Sequence, residues 1–463
     1  MKILKVISKQ SWGADRKILT LLYKSLIRSR IEYGALIYNS ASENNLKILN
    51  PIQNQCLRLA TGAFCTTPIQ ALHLETNEPP LEIRRKILTF NYAAKVTSVP
   101  QHPCYKLLMF PKYVQNYKNK KINTINVFLE EKFPLFKKIH TLTHPPPPPW
   151  TLDTPDLNFQ LHIFTKKITS SPIIKSNFLA ILQNYETHVR IYTDGSKDEE
   201  NAGCAFVIPD RNITKMFSLD PKSSIFACEL YAIYAALEYL HHPNNNTVEN
   251  YVIISDSQAA LQAISNIYTI QNQLITNIQT LIQEIKQSGK QLTFVWCPSH
   301  CGILGNEAAD QAAKTSLTTP DLPTYQYLLP SDLIQNLKQT TLKEWRESFR
   351  QVSTKLSEIK PVPATWQTSF QKSRLNETML MRLRTGHSRL SHQHLLKREQ
   401  PPTCGCGELL TIKHILTTCT IYSTIRNQMF PPSERTMAAM LQDSQNQINK
   451  IFAFIQETQI KGF

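Results

Sequence analysis

A short and almost entirely apolar run, Tyr251–Ser255, is the feature that most restricts the fold of this chain. A strand that faces water on one side alternates polar and apolar residues, and this run does not alternate. It therefore predicts a strand that is buried on both faces, as in an α/β sheet covered by helices. Asp256 follows the run directly, so the buried strand ends in a carboxylate.

Three further acidic residues occupy comparable positions in the same part of the chain. Asp194 follows the β-rich run Val189–Thr193 and precedes a Gly/Ser turn, so it is expected to project from the end of a strand. Glu229 lies on the apolar stripe of a segment with helical spacing rather than on its polar face. Asp310 is expected in the first turns of a helix that Asn306 caps.

Together these acids predict a metal site of nuclease type. Converging carboxylates repel one another and shift toward the protonated form unless cations neutralise them. Carboxylate oxygen is the ligand that Mg²⁺ prefers, and Mn²⁺ accepts the same ligands. Two such ions, about 3.5 to 4 Å apart, clamp the attacking and leaving oxygens of a phosphodiester. The alternative is that each acid is a solvated loop end or a helix cap.

Several segments resemble the type 1 ribonuclease H family in order and spacing. These segments are Tyr192–Ser196, Cys228–Ala232, Ser255–Ser257, Ser299–His300 and Gly305–Asp310. The resemblance covers residues 186–318 and implies a mixed five-stranded sheet flanked by helices. The activity it implies is that of an enzyme that cleaves the RNA strand of an RNA:DNA hybrid at internal positions. It also implies catalytic and metal-binding roles for Asp194, Glu229, Asp256 and Asp310, with His300 assisting product release.

The chain departs from that family at two points. Ile225 and Phe226 precede Glu229 where the family has small polar residues that contact the minor groove of the hybrid. Around the histidine, Cys297, His300 and Cys301 offer a rival zinc site, although a structural zinc ion needs four ligands.

The charge balance predicts nucleic acid as the partner. Formal net charge is +16, with 51 Lys and Arg against 35 Asp and Glu, and such a surplus binds phosphates with a salt-sensitive affinity. A basic run interleaved with tyrosines is equally consistent with a nucleic-acid-binding surface and with a solvated loop. The run comprises Lys112, Tyr113, Tyr117, Lys118, Lys120 and Lys121. The absence of a signal-like start or a long apolar run leads us to expect a nuclear or cytoplasmic protein.

The segment around Pro145–Pro149 predicts a linker, which we place at residues 141–185. Residues 1–140 carry mainly helical patterning. Within them, three segments resemble the part that follows the polymerase palm in reverse transcriptases of jockey-like non-LTR retrotransposons: Trp12–Gly13, Ile31–Ala35 and Gln55–Ala63. This resemblance covers residues 1–100. The palm itself requires paired aspartates, and no two aspartates are adjacent in this chain. We therefore expect no polymerase activity.

Residues 330–463 are expected to form a helical region with a knuckle-like metal site. Cys404, Cys406, His414 and Cys419 supply four ligands suited to Zn²⁺ in a stretch rich in glycine. The same retrotransposons often end in such a cluster; free thiols are the alternative. A basic segment from Arg382 to Arg398 precedes the cluster and is expected either to bind phosphates or to form a solvated helix face.

Three functional interpretations remain open from the sequence. The first is an RNA:DNA hybrid endoribonuclease within a retrotransposon-derived polypeptide. The second is a nucleic-acid-binding fragment whose nuclease has decayed or depends on a partner. The third is a host ribonuclease with accessory domains.

Overall fold

A computed structural model describes the chain apart from residues 1, 11, 111, 113, 120–123, 143–147, 153, 165–167, 243–248, 268–271 and 463. The chain divides into two compact units. The helical unit comprises residues 1–89, 115–128 and 338–463, and the sheet unit comprises residues 90–114 and 129–337. Tyr113, Lys120, Lys121 and most of the proline run fall outside the described residues. None of the described helices is long and apolar enough to cross a membrane.

The sheet unit is built on a seven-stranded sheet. The strands are β1 Asp156–Asn158, β2 Val189–Lys197, β3 Ala202–Ile208, β4 Ile213–Leu219, β5 Tyr251–Ser255, β6 Leu292–Trp296 and β7 Thr324–Tyr325. Their order across the sheet is β1-β6-β5-β2-β3-β4-β7. Strands β2, β3 and β4 pair antiparallel, whereas β2, β5, β6 and β1 pair parallel, as do β4 and β7.

The sheet is therefore mixed, as the sequence predicts, but the prediction of five strands is wrong. Five strands lie within residues 186–318, and two more come from outside that range. β1 adds to one edge beside β6, and β7 adds to the other edge beside β4. Both are short, which is why no periodicity marks them in the sequence.

Helices cover both faces of the sheet. They span Ser171–Gln183, Ile225–His241, Gln258–Ser265, Gln273–Gln287 and Leu304–Ser316. Tyr251 and Ile253 of β5 belong to a core that includes the helices Ile225–His241 and Gln273–Gln287. Val252 and Ile254 belong to a second core, on the other face, with the helix Leu304–Ser316. The prediction that the run Tyr251–Ser255 is buried on both faces is confirmed.

Residues 141–185 differ from the predicted linker, because part of this segment is folded onto the sheet. Leu157 of β1 pairs with Phe294 of β6. The helix Ser171–Gln183 buries Phe178 and Leu182 in the core on the Leu304–Ser316 side of the sheet. Strand β1 is too short to show a pattern of its own. The helix Ser171–Gln183 buries residues at helical spacing, a signal that the sequence analysis missed.

The helical unit is mainly α-helical, with two π-helical turns at Tyr23–Arg28 and His414–Thr418. Its first part contains helices at Lys2–Ile7, Arg16–Leu22, Ser29–Glu32, Ala35–Tyr38, Glu43–Lys47, Asn50–Thr61 and Ile69–Thr76. Its last part contains helices at Arg374–Thr385, Arg389–Lys397, Ser423–Met429, Met437–Leu441 and Gln445–Thr458. The helices Leu81–Thr97 and Pro330–Ser348 each continue across a boundary between the units.

The two ends of the chain share one hydrophobic core in the helical unit. Ala71 and Leu74 pack in a cluster with Trp345, Leu380 and Phe454. The sequence treats residues 1–140 and 330–463 as separate blocks, and the structure joins them instead. Contacts between residues about 300 positions apart leave no trace in local periodicity, so this union could not be predicted.

A buried ionic cluster lies across the same junction. The Glu75 carboxylate is 1% exposed and contacts Arg16 at 2.8 Å, Lys360 at 3.7 Å and Arg384 at 3.7 Å. Ser369 Oγ also donates to Glu75 at 2.6 Å. Burial alone would raise the pKa of Glu75, but Lys360, Arg16 and Arg384 outweigh burial and hold that pKa well below its usual range. Glu75 therefore stays charged and ties Arg16 to two residues of the C-terminal part.

We expect Glu75→Gln to destabilise the helical unit by about 3 to 5 kcal/mol, because three buried cations lose the charge of the carboxylate that they share. Urea-dependent hydrogen exchange, read on peptides from residues 1–89 and 338–463, measures this change. Glu457→Gln, at an exposed glutamate of the same unit, is the matched control. An equal effect of the two substitutions would contradict the role of Glu75.

Candidate active site

The pairing of β2 with β5 brings two aspartates side by side. The parallel register ends with Thr193 opposite Ser255, so the next residues along each strand are Asp194 and Asp256. Strand β2 continues to Lys197 by pairing with β3, where Asp194 lies opposite Ala205. Asp194 is thus inside its strand, not at the strand end as the sequence predicts, whereas Asp256 follows β5 directly.

Glu229 reaches the same point from the helix Ile225–His241. The side chain of Ser224 caps this helix by accepting a hydrogen bond from Ala227 N. The helix passes so close to β2 that a Cβ atom at Gly195 would lie 2.6 Å from Glu229 N. Only glycine fits there, and this close approach is what places Glu229 beside Asp194.

The helix Leu304–Ser316 supports the other side of the site. A Cβ atom at Gly305 would lie 2.2 Å from the ring of Tyr192, so glycine lets this helix pack directly on β2. Asn306, predicted as the helix cap, lies inside the helix, and Ile303 is the capping residue. The buried side chain of Asn306 instead donates to Asp256 Oδ2 at 3.3 Å.

Sequence analysis missed the residues that hold Asp256 in position. Besides Asn306, Trp296 Nε1 donates to the backbone oxygen of Asp256 at 3.0 Å. Cys297 Sγ in turn donates to Asn306 Oδ1 at 3.4 Å. Strand β6, which contains Trp296, neighbours β5 in the sheet. No sequence pattern identifies such contacts, because they follow from strand order.

Asp194, Glu229 and Asp256 each offer a carboxylate oxygen, and these oxygens lie within 4.8 Å of one another. Asp194 is 5% exposed and Glu229 is 7% exposed. Burial, followed by the charges of Asp256 and Asp310, raises the pKa of Asp194 to about 7. Burial and the charges of Asp194 and Asp256 raise the pKa of Glu229 well above its usual range.

Asp310, the fourth predicted acid, is not among these three convergent carboxylates. Its Oδ2 atom accepts a hydrogen bond from Lys314 Nζ at 2.7 Å, one helical turn further along. Asp310 is nevertheless near enough to raise the pKa of Asp194 through its charge. The spacing of four residues between Asp310 and Lys314 is a sequence signal for this ion pair.

His300 lies in the loop between β6 and the helix Leu304–Ser316, where its side chain is exposed. Its backbone is left-handed, with φ of 52°. Cys301 Sγ donates to Ser299 O at 3.5 Å, and Cys297 contacts Asn306. Among the residues that the structure describes, Cys297, His300 and Cys301 do not form a convergent ligand group, so the rival zinc site gains no support.

The three acids fit divalent cations. They supply only oxygen ligands, which hard ions prefer. Among the described residues, the buried atom Glu229 Oε2 finds no hydrogen-bond partner, although a buried carboxylate oxygen normally has one. A cation at this point would provide that partner and would relieve the repulsion among the three carboxylates.

The helical unit contains a second convergent group. Cys404, Cys406, His414 and Cys419 place one ligand atom each within 4.8 Å of one another. Cys404 Sγ lies 3.5 Å from Cys419 Sγ, and Cys406 Sγ lies 3.1 Å from His414 Nε2. The sequence predicts this set of four as a ligand group, and the fold brings all four together.

A tight reversal of the chain presents the first two of these cysteines. Cys404 N donates to Glu408 O at 2.7 Å, and Gly407 N donates to Cys404 O at 2.9 Å. Gly407 has a φ of 93°, which L-residues rarely adopt. Arg426 fixes the far side by donating to Cys419 O at 2.8 Å.

One part of the chain matches a known protein family. Residues 186–318 match the family model described as RNase H, and this part of the chain is an RNase H domain. RNase H1 from the halophilic archaeon Halobacterium salinarum NRC-1 is 18% identical, with 28% of this chain and 97% of that chain covered and a TM-score of 0.23. LC11-RNase H1 in complex with an RNA/DNA hybrid is 19% identical, with 28% and 99% covered and a TM-score of 0.23. A comparison with curated proteins found no match.

We expect Asp194→Asn to stabilise the sheet unit at neutral pH when divalent ions are absent. The pKa of Asp194 is raised from 3.8 to about 7, so the stability that its protonated form contributes is complete below pH 4 and is lost as pH rises through 7. Three pKa units correspond to about 4 kcal/mol. The difference in unfolding free energy between variant and wild type is therefore expected to be near zero below pH 4 and to reach this order above pH 7.

Urea-dependent hydrogen exchange on peptides from residues 186–318, repeated from pH 4 to pH 8, measures that difference. Adding Mg²⁺ should reduce this difference in unfolding free energy, because ions that bind only the folded wild type stabilise the wild type. Asp198→Asn is the control, since Asp198 is an exposed aspartate near the end of the same strand whose pKa is lowered by backbone hydrogen bonds from Asn201 and Glu200. A difference that does not change with pH would contradict the repulsion among the three carboxylates.

Proposed function

We propose that this protein is a type 1 RNA:DNA hybrid ribonuclease that hydrolyses phosphodiester bonds within the RNA strand with the aid of two Mg²⁺ or Mn²⁺ ions. The observation that carries the proposal is the largely buried group formed by Asp194, Glu229 and Asp256, whose oxygens lie within 4.8 Å of one another. Carboxylates this close repel one another, and divalent cations would relieve that repulsion. The RNase H family match over residues 186–318 supports the same activity.

Asp194, Glu229 and Asp256 would hold the metal ions, and Asp310 would join them by exchanging its contact with Lys314. Lys314 is half exposed, so releasing Asp310 costs little. The bound ions would supply Lewis-acid activation of water and stabilise charge on the phosphate. Asn306 and Trp296 keep Asp256 in place, and His300 is suited to proton transfer as the product leaves.

Substrate selection rests on fewer observations than metal binding does. Ile225 is 51% exposed at the start of the helix that carries Glu229, where the family has small polar residues. An apolar side chain cannot donate a hydrogen bond to a ribose hydroxyl. We therefore propose that backbone phosphates, attracted by the net charge of +16, contribute most of the affinity for the hybrid.

We further propose that the chain belongs to a retrotransposon-derived polypeptide of the non-LTR, jockey-like kind, without polymerase activity. The resemblance of residues 1–100 to a post-palm segment supports this origin, as does the C-terminal ligand cluster. A nuclear or cytoplasmic location suits a nucleic-acid substrate and free cysteines. The second candidate function, nucleic-acid binding with a decayed or partner-dependent nuclease, is favoured by Ile225 and Phe226.

The four ligands Cys404, Cys406, His414 and Cys419 are proposed to bind one structural Zn²⁺. Two sulfur ligands at 2.3 Å on a tetrahedral ion lie about 3.8 Å apart. The sulfur atoms of Cys404 and Cys419 are 3.5 Å apart, and those of Cys406 and Cys419 are 3.9 Å apart. Zinc would join the reversal at Cys404–Gly407 to the π-helical turn His414–Thr418.

We expect Asp194→Asn to lower hybrid cleavage below about one-thousandth of the wild-type rate, because the metal ions lose a shared ligand. His300→Ala should slow turnover about a hundredfold without abolishing it, since it removes only a proton-transfer group. Labelled RNA:DNA hybrid, double-stranded RNA and single-stranded RNA, each with and without Mg²⁺, are the substrates for the assay.

Asp198→Asn is the matched control and should cleave at the wild-type rate. Hybrid binding by Asp194→Asn should be nearly unchanged, which separates loss of chemistry from loss of folding. Activity near the wild-type level in Asp194→Asn would remove the assignment of the site. A wild-type protein that binds the hybrid and never cleaves it would favour the second candidate function.

For the zinc site, we expect the full-length protein, purified without chelator, to contain one equivalent of zinc. Cys406→Ser should lose that equivalent, because only three ligands remain. Cys65→Ser, at an exposed cysteine in the same unit, should retain it. Elemental analysis of the three proteins gives the ratio, and a wild-type protein without zinc would rule out the site.

A further inference from the structure

The helical unit has a compact group of basic side chains around one turn of the chain. The turn joins the helices Arg374–Thr385 and Arg389–Lys397, and Gly386 in it has a φ of 70°. We call this group the basic turn surface. It comprises Lys355, Arg382, His387, Arg389 and His392.

Contacts within the helical unit hold these residues together. His387 and His392 stack, with ring centroids 3.9 Å apart. Lys355 Nζ lies 3.3 Å from His392 Nε2, and the Lys355 chain packs so close to Gly386 that a Cβ atom there would be 2.8 Å from Lys355 Cδ. An ammonium group only donates hydrogen bonds, so His392 accepts at Nε2 and is neutral.

The loop at residues 62–67 forms the other side of the surface. Thr66 Oγ1 lies 3.0 Å from His387 Nδ1. Arg382 donates to Gly62 O at 3.1 Å, and its guanidinium lies 5.9 Å from the centre of the Phe64 ring. The loop contributes backbone and aromatic contacts but no carboxylate.

Within the described part of the chain, none of the cations of this surface forms an ion pair with Asp or Glu. Glu358 is near enough to act on Lys355 through its charge, but it pairs with Lys413 at 3.0 Å. The positive charges of this surface therefore repel one another. Burial and then the charge of Arg389 lower the pKa of Arg382 to about 10. Burial, His392 and Lys355 lower the pKa of His387 to about 3.

A cavity of about 320 Å³ opens beside this group. Lys355 and His387 line it, together with Thr354, Thr385 and Gln70. The lining therefore offers hydrogen-bond donors and positive charge, with no acidic side chain among its residues. A tetrahedral oxyanion fits such a lining, because each of its oxygens accepts hydrogen bonds.

We propose that the basic turn surface binds backbone phosphates of nucleic acid, as a contact separate from the RNase H domain. An anion at this point would neutralise Lys355, Arg382 and Arg389, which form no ion pair among the described residues. The exposed positions of Lys355 and Arg389 allow a long polyanion to approach, and each cation can neutralise a backbone phosphate. The surface would therefore add affinity for nucleic acid to the activity proposed for the acidic site.

The proposal is tested in full-length Asp194→Asn protein, which should bind a 20-base-pair RNA:DNA hybrid without cleaving it. Affinity is measured against salt concentration with and without Lys355→Gln and Arg389→Gln together. Losing two phosphate contacts should reduce the slope of log affinity against log salt by about 2. Lys338→Gln with Lys372→Gln, two exposed lysines of the same unit, removes the same charge and should leave the slope close to its original value.

Equal slopes in the two double variants would overturn the proposal. A second arm adds sodium phosphate, to separate free phosphate from nucleic acid. If phosphate stabilises the parent but not the Lys355→Gln, Arg389→Gln protein, and hybrid binding is the same in both, the surface takes only free anions and the proposal fails. Cleavage by wild-type protein is assayed separately, so an inactive nuclease would leave the binding result interpretable.

Discussion

Parallel pairing between Val189–Thr193 and Tyr251–Ser255 is the interaction on which the acidic site depends. It fixes Asp194 beside Asp256, and each of the other site residues is placed relative to those two strands. A slip of one residue would turn Asp194 toward the opposite face of the sheet, because side chains alternate along a strand. The register is secured on both faces by apolar residues of β5, so the chemistry of the site follows from the packing of the core.

Packing of that same core offsets the free-energy cost of bringing three carboxylates together. Each acid that loses water resists ionisation, which is why the pKa values of Asp194 and Glu229 rise. The apolar cores on both faces of the sheet hold the strands and the helix that carry the acids. A cation that binds there would gain affinity by relieving the repulsion among the carboxylates.

The sequence predicts the centre of the sheet unit well and its surroundings poorly. The buried strand at Tyr251–Ser255 follows from its unbroken apolar run, and the helix that carries Glu229 follows from helical spacing. The mixed sheet follows from the family resemblance. The edge strands at Asp156–Asn158 and Thr324–Tyr325 are too short to show a pattern. The sequence predicts Asn306 as a helix cap because asparagine favours that position, but its side chain donates a hydrogen bond to Asp256 instead. Contacts between distant segments decided each of these differences.

In the helical unit too, contacts between distant segments decide the structure and leave no local sequence pattern. The distance along the chain between these segments also affects how the unit folds during synthesis. Glu75 leaves the ribosome long before Lys360 and Arg384, its partners in the buried cluster. The sheet unit is complete once residue 337 has emerged, whereas the first 89 residues still await the last part of the chain. At that point a nascent chain has a sheet unit whose residues have all emerged and a helical unit that still lacks its last part, so apolar residues of the shared core are uncovered. Interrupted translation would leave the sheet unit attached to an incomplete helical unit with apolar surface that chaperones bind.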